Sequence, residues 1–298
     1  MSEVTALEDT RKTRRQVAAW WFRRLRKSAT ATTGAILLLA LVFIAAFSPQ
    51  VAPHNPIDTD LSMRFVPPSW SEGGTSEHLL GTDQLGRDLL SRIIFGSRVS
   101  LIIGLSAVVI AAAIGVTLGL IAGYIGGIWD SIIMRVVDTI IAIPKVMLYL
   151  AVFAAFGSSL AVMIGVLGAL RWTTYARVVR GEVLSVRTRE YVEAARALGQ
   201  NQFIILFRHI LPNVLASVIV IATLEVASII IVESGMSFLG LGVQPPTVTW
   251  GRMLADGRQY VASAWWIATF PGLAITLSVL GIIFLGDWLR DVFDPKLR

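Results

Sequence analysis

Residues 99–129 read VSLIIGLSAVVIAAAIGVTLGLIAGYIGGIW, with no Asp, Glu, Lys or Arg among them. A helix needs about 20 mainly apolar residues to cross the hydrocarbon of a bilayer. It must also pair its backbone N–H and C=O groups within itself, because lipid offers no partners. This stretch satisfies the length requirement with room to spare. Three more runs are equally free of charge: 28–53, 146–170 and 259–286. A buried helix of a soluble protein keeps a polar side, so repeated charge-free runs of this length read as repeated crossings.

Composition agrees. Hydrophobic residues make up 55% of the 298 and charged ones only 15%, against about 25% charged in an ordinary soluble domain. We therefore expect an all-α fold, a polytopic membrane protein with six transmembrane helices. The spans are placed at 31–51, 99–123, 132–156, 160–180, 213–233 and 264–287. The fourth contains Arg171 and Arg177, which we expect to snorkel toward the headgroups beside interfacial Trp172 and Tyr175. The third is interrupted by Pro144-Lys145. The corresponding organisation is a basic N-terminal segment 1–30, a first helix 31–51, an outer loop 52–98, a five-helix core 99–288 and a tail 289–298. The core includes a polar loop, 181–212.

Charge sets the orientation. The N-terminal segment carries Arg11, Lys12, Arg14, Arg15, Arg23, Arg24, Arg26 and Lys27. The 171–212 segment carries Arg171, Arg177, Arg180, Arg187, Arg189, Arg196 and Arg208. Short loops rich in Lys and Arg stay in the cytoplasm. Both termini and the 181–212 loop are thus expected inside, with the basic start contacting anionic lipid. The apolar run after that start is longer than a signal-peptide core and reads as an uncleaved helix. The net charge of +6 follows the membrane rather than forming a nucleic-acid patch.

The composition also limits the chemistry. There is no Cys, so disulfides and thiolate metal sites are excluded. His54, His78 and His209 are scattered, with no HExxH and no pair at helical spacing, and no metal site is expected. No GxxxxGK[ST] stretch occurs, so this chain should not hold ATP. No nucleophile–base pair or carboxylate cluster at one depth supports an integral-membrane enzyme, and no catalytic residue is assigned.

The polar loop carries the strongest functional signal. Residues 190–213 read EYVEAARALGQNQFIILFRHILPN. Tyr191, Ala194, Ala195 and Leu198 share one helical face, with Glu190, Glu193 and Arg196 set among them. Acidic residues suit the positive start of a helix. Gly199 is placed to end it in a left-handed conformation. A second helical run, 202–210, leads to Leu211 and to Pro212, which fits the first turn of the fifth span. This describes a short polar helix, a turn and a re-entry. Taken alone, the pattern also fits an ordinary amphipathic surface helix.

Glu193-Ala194-Ala195, then Gly199, then Leu211-Pro212 resemble the EAA loop of ABC importer permeases. The position where that loop has isoleucine is His209 here. His-Ile-Leu-Pro-Asn resembles the dipeptide/oligopeptide (nickel) branch, as do HLLGTDQLGRDLLSRIIFGSRVSL (78–101), ESGMSFLGLGVQPPTVTWGRM (233–253) and the ending GDWLRDVFDPKLR. The chain is similar to the second permease subunit of that branch from about residue 30 onward.

The resemblance implies a type I importer permease fold and a place in the inner membrane. It implies a coupling helix docked on an ATPase, and transport without catalysis in this chain. The partners it implies are a second homologous permease, two ABC ATPase subunits that bind ATP and Mg²⁺, and an extracytoplasmic substrate-binding protein. No cofactor is implied in this chain. The cargo would be a di- or oligopeptide, with a nickel complex, haem or another small solute left open. A passive channel would leave the coupling-type loop unexplained.

Ionisable residues inside spans are costly and usually face protein or water. Glu225, Lys145, Asp138, Arg135 and Glu233 are therefore candidates for the translocation path or a permease interface. Arg135 and Asp138 are spaced to pair with each other. Glu225 is expected to find a basic or hydroxyl partner across the permease interface if it does not line the path. Glu233 is expected to hydrogen-bond near the following loop.

Overall fold

The computed structural model of the protein describes residues 24–26 and 28–293. The basic residues before Arg24 and the tail after Phe293 lie outside them. The described chain is overwhelmingly helical, and Thr82–Asp88 is an isolated bridge.

Helix α1 (Ala29–Ala46) begins at Ser28, whose Oγ accepts from the Ala31 N–H at 3.3 Å. A helical turn, Ser48–Val51, follows it. Helix α2 (Leu89–Leu120) starts on Asp88, whose carboxylate accepts from Ser91 N at 2.8 Å. A capping carboxylate also favours the positive helix end. A π-helical turn, Ile121–Ile125, extends α2. Next come α3 (Gly127–Ala142) and α4 (Lys145–Phe156), bent by 87° at Ile143-Pro144. Helix α5 runs Leu160–Val186, and α6 is the short Glu190–Ala197. Helix α7 (Leu211–Phe238), α8 (Trp250–Gly257) and α9 (Trp266–Phe293) complete the order.

Close packing of α2 on α5 makes the spine of the bundle. Gly115, Gly119 and Gly123 recur every fourth residue along one face of α2 and its extension. A Cβ on Gly119 would lie 2.7 Å from Val179 Cβ and 2.8 Å from the Ala176 carbonyl oxygen. The missing side chains let the two backbones approach. Gly34 does the same for α1 against α9, where a Cβ would meet Phe284 Cβ at 2.7 Å. The main core lies between α2, α5, α7 and α9, with Ile103, Leu167, Val179 and Ile229 fully buried.

Among the described residues, four helical segments are long and apolar enough to cross a membrane, and five if the bent pair α3–α4 counts as one. The remaining expected span is α5. Its 27 residues are long enough, but Arg171, Arg177 and Arg180 keep it out of that set. Arg171, Trp172 and Tyr175 do not behave as an interfacial belt: Arg171 is 5% exposed, Trp172 8% and Tyr175 0%. They pack inside the bundle, because α2 closes on Trp172 and Tyr175 and Arg171 turns to Glu225 of α7, whereas Arg177 stays exposed.

At one end of the bundle the long loop before α2 is tied down densely. Thr82 Oγ1 accepts from Val66 N and donates to the Met63 carbonyl. Trp266 Nε1 donates to the Thr82 carbonyl at 3.0 Å, and Trp250 Nε1 to the Ile93 carbonyl at 2.8 Å. Asp83 receives Arg87 Nε at 2.7 Å and faces Arg92 Nε at 3.5 Å. This loop end thereby fastens α2, α8 and α9 together.

Candidate functional site

The opposite end carries the segment 187–212. Helix α6 starts with Glu190 and Glu193 in its first turn, without a side-chain cap. It closes in a full C-terminal motif. Gly199 has φ +75°, the Gly199 N–H donates to the Arg196 carbonyl at 3.0 Å, and the Gln200 N–H donates to the Ala195 carbonyl at 3.1 Å. Those paired bonds define the Schellman geometry, in which glycine avoids the strain of a left-handed residue. Nothing lies within 4 Å of a Cβ built on Gly199, so a side chain there meets backbone strain rather than a neighbour.

After the turn, Asn201 Oδ1 accepts from Phe203 N at 2.8 Å. The chain then winds through a π-helical stretch, Ile205–Ile210, directly into α7. Gln202–Phe238 is one helical path of 37 residues. The wider turn lies just where Pro212, which has no N–H, would otherwise crowd the preceding carbonyls. Asn213 Nδ2 donates to the His209 carbonyl at 2.6 Å. His209 Nε2 pairs with Gln200 Oε1 at 3.0 Å, and its ring lies 6.3 Å from that of Tyr191. The histidine thus ties the α6 turn to the base of α7.

The expected four-residue face of α6 is divided. Ala195 is buried, together with Val192, which carries no weight in the sequence reading. Tyr191, Ala194 and Leu198 face outward, Leu198 at 87% exposure. They line a groove with Gln200, Arg208 and His209. Glu190, Glu193 and Arg196 are exposed around it, and Leu211 is partly buried against the core. The helix thus presents an apolar patch with charged borders.

Helix α5 holds the neighbouring elements through its arginines. Arg180 grips Asp130 of α3 with two bonds, of 2.5 and 2.7 Å. Arg177 reaches Asp138 at 2.6 Å, and Arg187 Nη1 donates to the Gly123 carbonyl at 2.9 Å. Asp138 therefore pairs with α5 and not with Arg135. The i, i+3 spacing on α3 permitted the local pair, but the planar guanidinium of Arg177 reaches the carboxylate from the facing helix.

Deeper in the bundle, the Arg171 guanidinium donates to Glu225 and, at 2.9 Å, to Ser228 Oγ. The partner of Glu225 thus lies in this chain, across the α5–α7 contact, and not across a permease interface. Each charge compensates the other in a largely dry setting, so removing Glu225 would strand the buried Arg171. Lys145, half-buried at the start of α4, lies within electrostatic reach of both. Glu233 is 1% exposed and accepts from Ser237 Oγ at 2.8 Å, one turn along its own helix. Two pairings, Arg171–Glu225 and Arg180–Asp130, had no local sequence signal, since each joins residues 50 or more apart.

Comparison with known proteins gives the following. Residues 115–298 match the family described as binding-protein-dependent transport system inner membrane component. Residues 18–68 match the N-terminal TM domain of oligopeptide transport permease C. The chain is 45% identical over 265 residues to the di/tripeptide transport system permease protein DppC of Pseudomonas aeruginosa, covering 89% of this chain and 88% of the relative. It is 39% identical over 296 residues to the probable D,D-dipeptide transport system permease protein DdpC of Escherichia coli, covering 99% and 97%. It is 42% identical over 281 residues to the glutathione transport system permease protein GsiD of Pectobacterium atrosepticum, covering 94% and 91%.

Proposed function

The chain belongs to the family of binding-protein-dependent transport system inner membrane components, and from that premise we propose that it is the peptide-translocating permease subunit of an ATP-driven importer. The observation that carries the reading is α6. It presents Tyr191, Ala194 and Leu198 outward, has charges around them, and is joined through the fixed Gly199 turn to the 37-residue path of α7. A stiff helix at the end of a stiff lever is what converts motion of an ATPase into motion of a span. Close docking favours small side chains, and Ala194 at the centre of the patch provides one.

In this reading α5 completes a sixth crossing, both termini and α6 face the cytoplasm, and the long loop before α2 faces outward. The partners are a second, homologous permease, two ATPase subunits that bind ATP and Mg²⁺, and an external binding protein that delivers peptide. This chain holds no cofactor and no catalytic group. Glu225 with Arg171, and Lys145 at the α3–α4 break, lie beside the path. Glu233 and the Asp138 and Arg135 region serve packing.

The test is reconstitution of the chain with those partners in liposomes. Uptake of labelled di- and tripeptides should require both ATP and the binding protein. Uptake that proceeds without ATP, or no uptake of any peptide by the complete assembly, would contradict the proposal.

A further inference from the structure

The long loop assembles a polar group that translocation does not use. His54 follows the turn Ser48–Val51, His78 lies much further along the loop, and Asp88 caps α2. Potential ligand atoms of the three all lie within 4.8 Å of one another. His78 and Asp88 are buried and His54 is half-buried. The two imidazoles are 5.0 Å apart between centroids and tilted by 43°, which is not a stacked pair.

His78 and Asp88 already lie close to a chelating geometry. His78 Nδ1 and Asp88 Oδ1 are 3.0 Å apart. Two ligands on a tetrahedral ion with bonds of about 2.0–2.1 Å are about 3.3 Å apart. A few tenths of an ångström therefore separate this hydrogen-bonded pair from a chelating one. The other Asp88 oxygen is held by Ser91 N at 2.8 Å. His54 Nε2 lies 3.0 Å from the Glu77 carbonyl oxygen. A carbonyl only accepts, so that nitrogen carries the proton and Nδ1 keeps its lone pair. Metal-bound histidines are commonly fixed in this way, the second nitrogen donating to a backbone carbonyl. The His54 N–H donates to Ser91 Oγ at 2.9 Å, which anchors the third ligand to the first turn of α2. The nearest buried cation, Arg92, is engaged by Asp83 and the Pro56 carbonyl, so its charge is compensated.

We propose that His54, His78 and Asp88 bind one divalent transition ion of the zinc type, with water in the fourth position. Two imidazoles and a carboxylate suit such an ion and not calcium or magnesium, which favour oxygen ligands. His54 makes the closing movement, because it is the least buried of the three. The ion staples three separated stretches of loop to the start of α2. Its role is structural, and it requires neither a peptide cargo nor an ATPase.

The experiment uses the full-length chain in detergent, free of affinity-tag histidines, stripped by chelator and titrated with zinc against a chromogenic competitor. One zinc per chain is expected, with a rise in melting temperature. His54→Ala should weaken binding at least about tenfold and abolish the rise, while its metal-free melting temperature falls only slightly, for the lost bond to the Glu77 carbonyl. Asp88→Asn should also weaken binding while keeping an acceptor for the Ser91 N–H, but it alters the bond to His78 as well, so His54→Ala decides. Absence of stoichiometric zinc, or equal affinity in His54→Ala, would overturn the proposal and leave His78–Asp88 a hydrogen-bonded clasp.

Discussion

The two ends of the bundle solve opposite problems. At the loop end, residues 52–88 have little regular structure, yet several of their polar groups find partners within the chain: Asp83 with Arg87 and Arg92, Thr82 with Val66 and Met63, Trp266 with Thr82. At the turn end, α6 is regular and properly terminated, yet Tyr191 and Leu198 remain uncovered. Irregular backbone persists when side chains satisfy its donors and acceptors. A regular helix persists locally through its own bonds and can leave its apolar face for another molecule. Order in the backbone is therefore no guide to where side chains hold the chain together. The loop end is tied by bonds within this chain, while the turn end is regular and leaves Tyr191 and Leu198 exposed.

The largest expected effect tests the bonds at the loop end. Asp83→Ala removes the acceptor for the Leu85 and Arg87 N–H groups and leaves Arg92, 4% exposed, without its carboxylate. Stranding a buried charge costs about 3–5 kcal/mol. A marked fall in the melting temperature of the detergent-solubilised chain is expected. An unchanged melt would mean that the loop end is not held by this network.

A smaller effect sharpens the contrast at the other end. His209→Leu deletes the bond to Gln200 and should cost about 0.5–1.5 kcal/mol, read in the same melt, with faster amide hydrogen exchange over 197–204. Exchange confined to the loop end would contradict the assignment of His209 as the tie between α6 and α7.

The smallest effect on stability should carry a large effect on assembly. Leu198→Asn changes a side chain that is 87% exposed, and exposed substitutions usually fall within about 0.5 kcal/mol. The melt should not move, while co-purification of the ATPase subunits should drop. If the melt falls and co-purification holds, Leu198 is a packing residue and α6 is not the docking surface.

Much of this was legible in the sequence, and the exceptions share a cause. Charge-free runs such as 99–129 gave the spans because the bilayer constrains length and polarity together. Gly199 gave the end of α6 because positive φ has few other candidates. Pairings between distant residues stayed hidden. Glu225 was recognisable as costly, but its partner Arg171 is 54 positions away, and no local period links them. The 87° bend at Pro144 was visible only as an interruption. On α6, spacing placed Ala195 with Tyr191 and Leu198, and packing then turned it inward beside Val192. Periodicity identifies a face but not which edge of it the rest of the fold covers. His54 and His78 looked scattered because their neighbourhood is made by a loop, which has no period to read.

In the proposed mechanism α6 transmits ATPase motion to α7 through a fixed turn. The direct measurement is binding-protein-stimulated ATP hydrolysis and peptide uptake, in parallel, by the reconstituted assembly carrying Gly199→Val or Glu193→Arg. Valine at a φ of +75° strains the turn by about 1–3 kcal/mol and shifts the helix against its partner. The reversed charge at residue 193 opposes docking on a complementary surface. Both activities should fall together in each variant, while the two permeases still co-purify and the binding protein keeps its affinity for peptide. Full stimulated hydrolysis and full uptake in both variants would contradict the account.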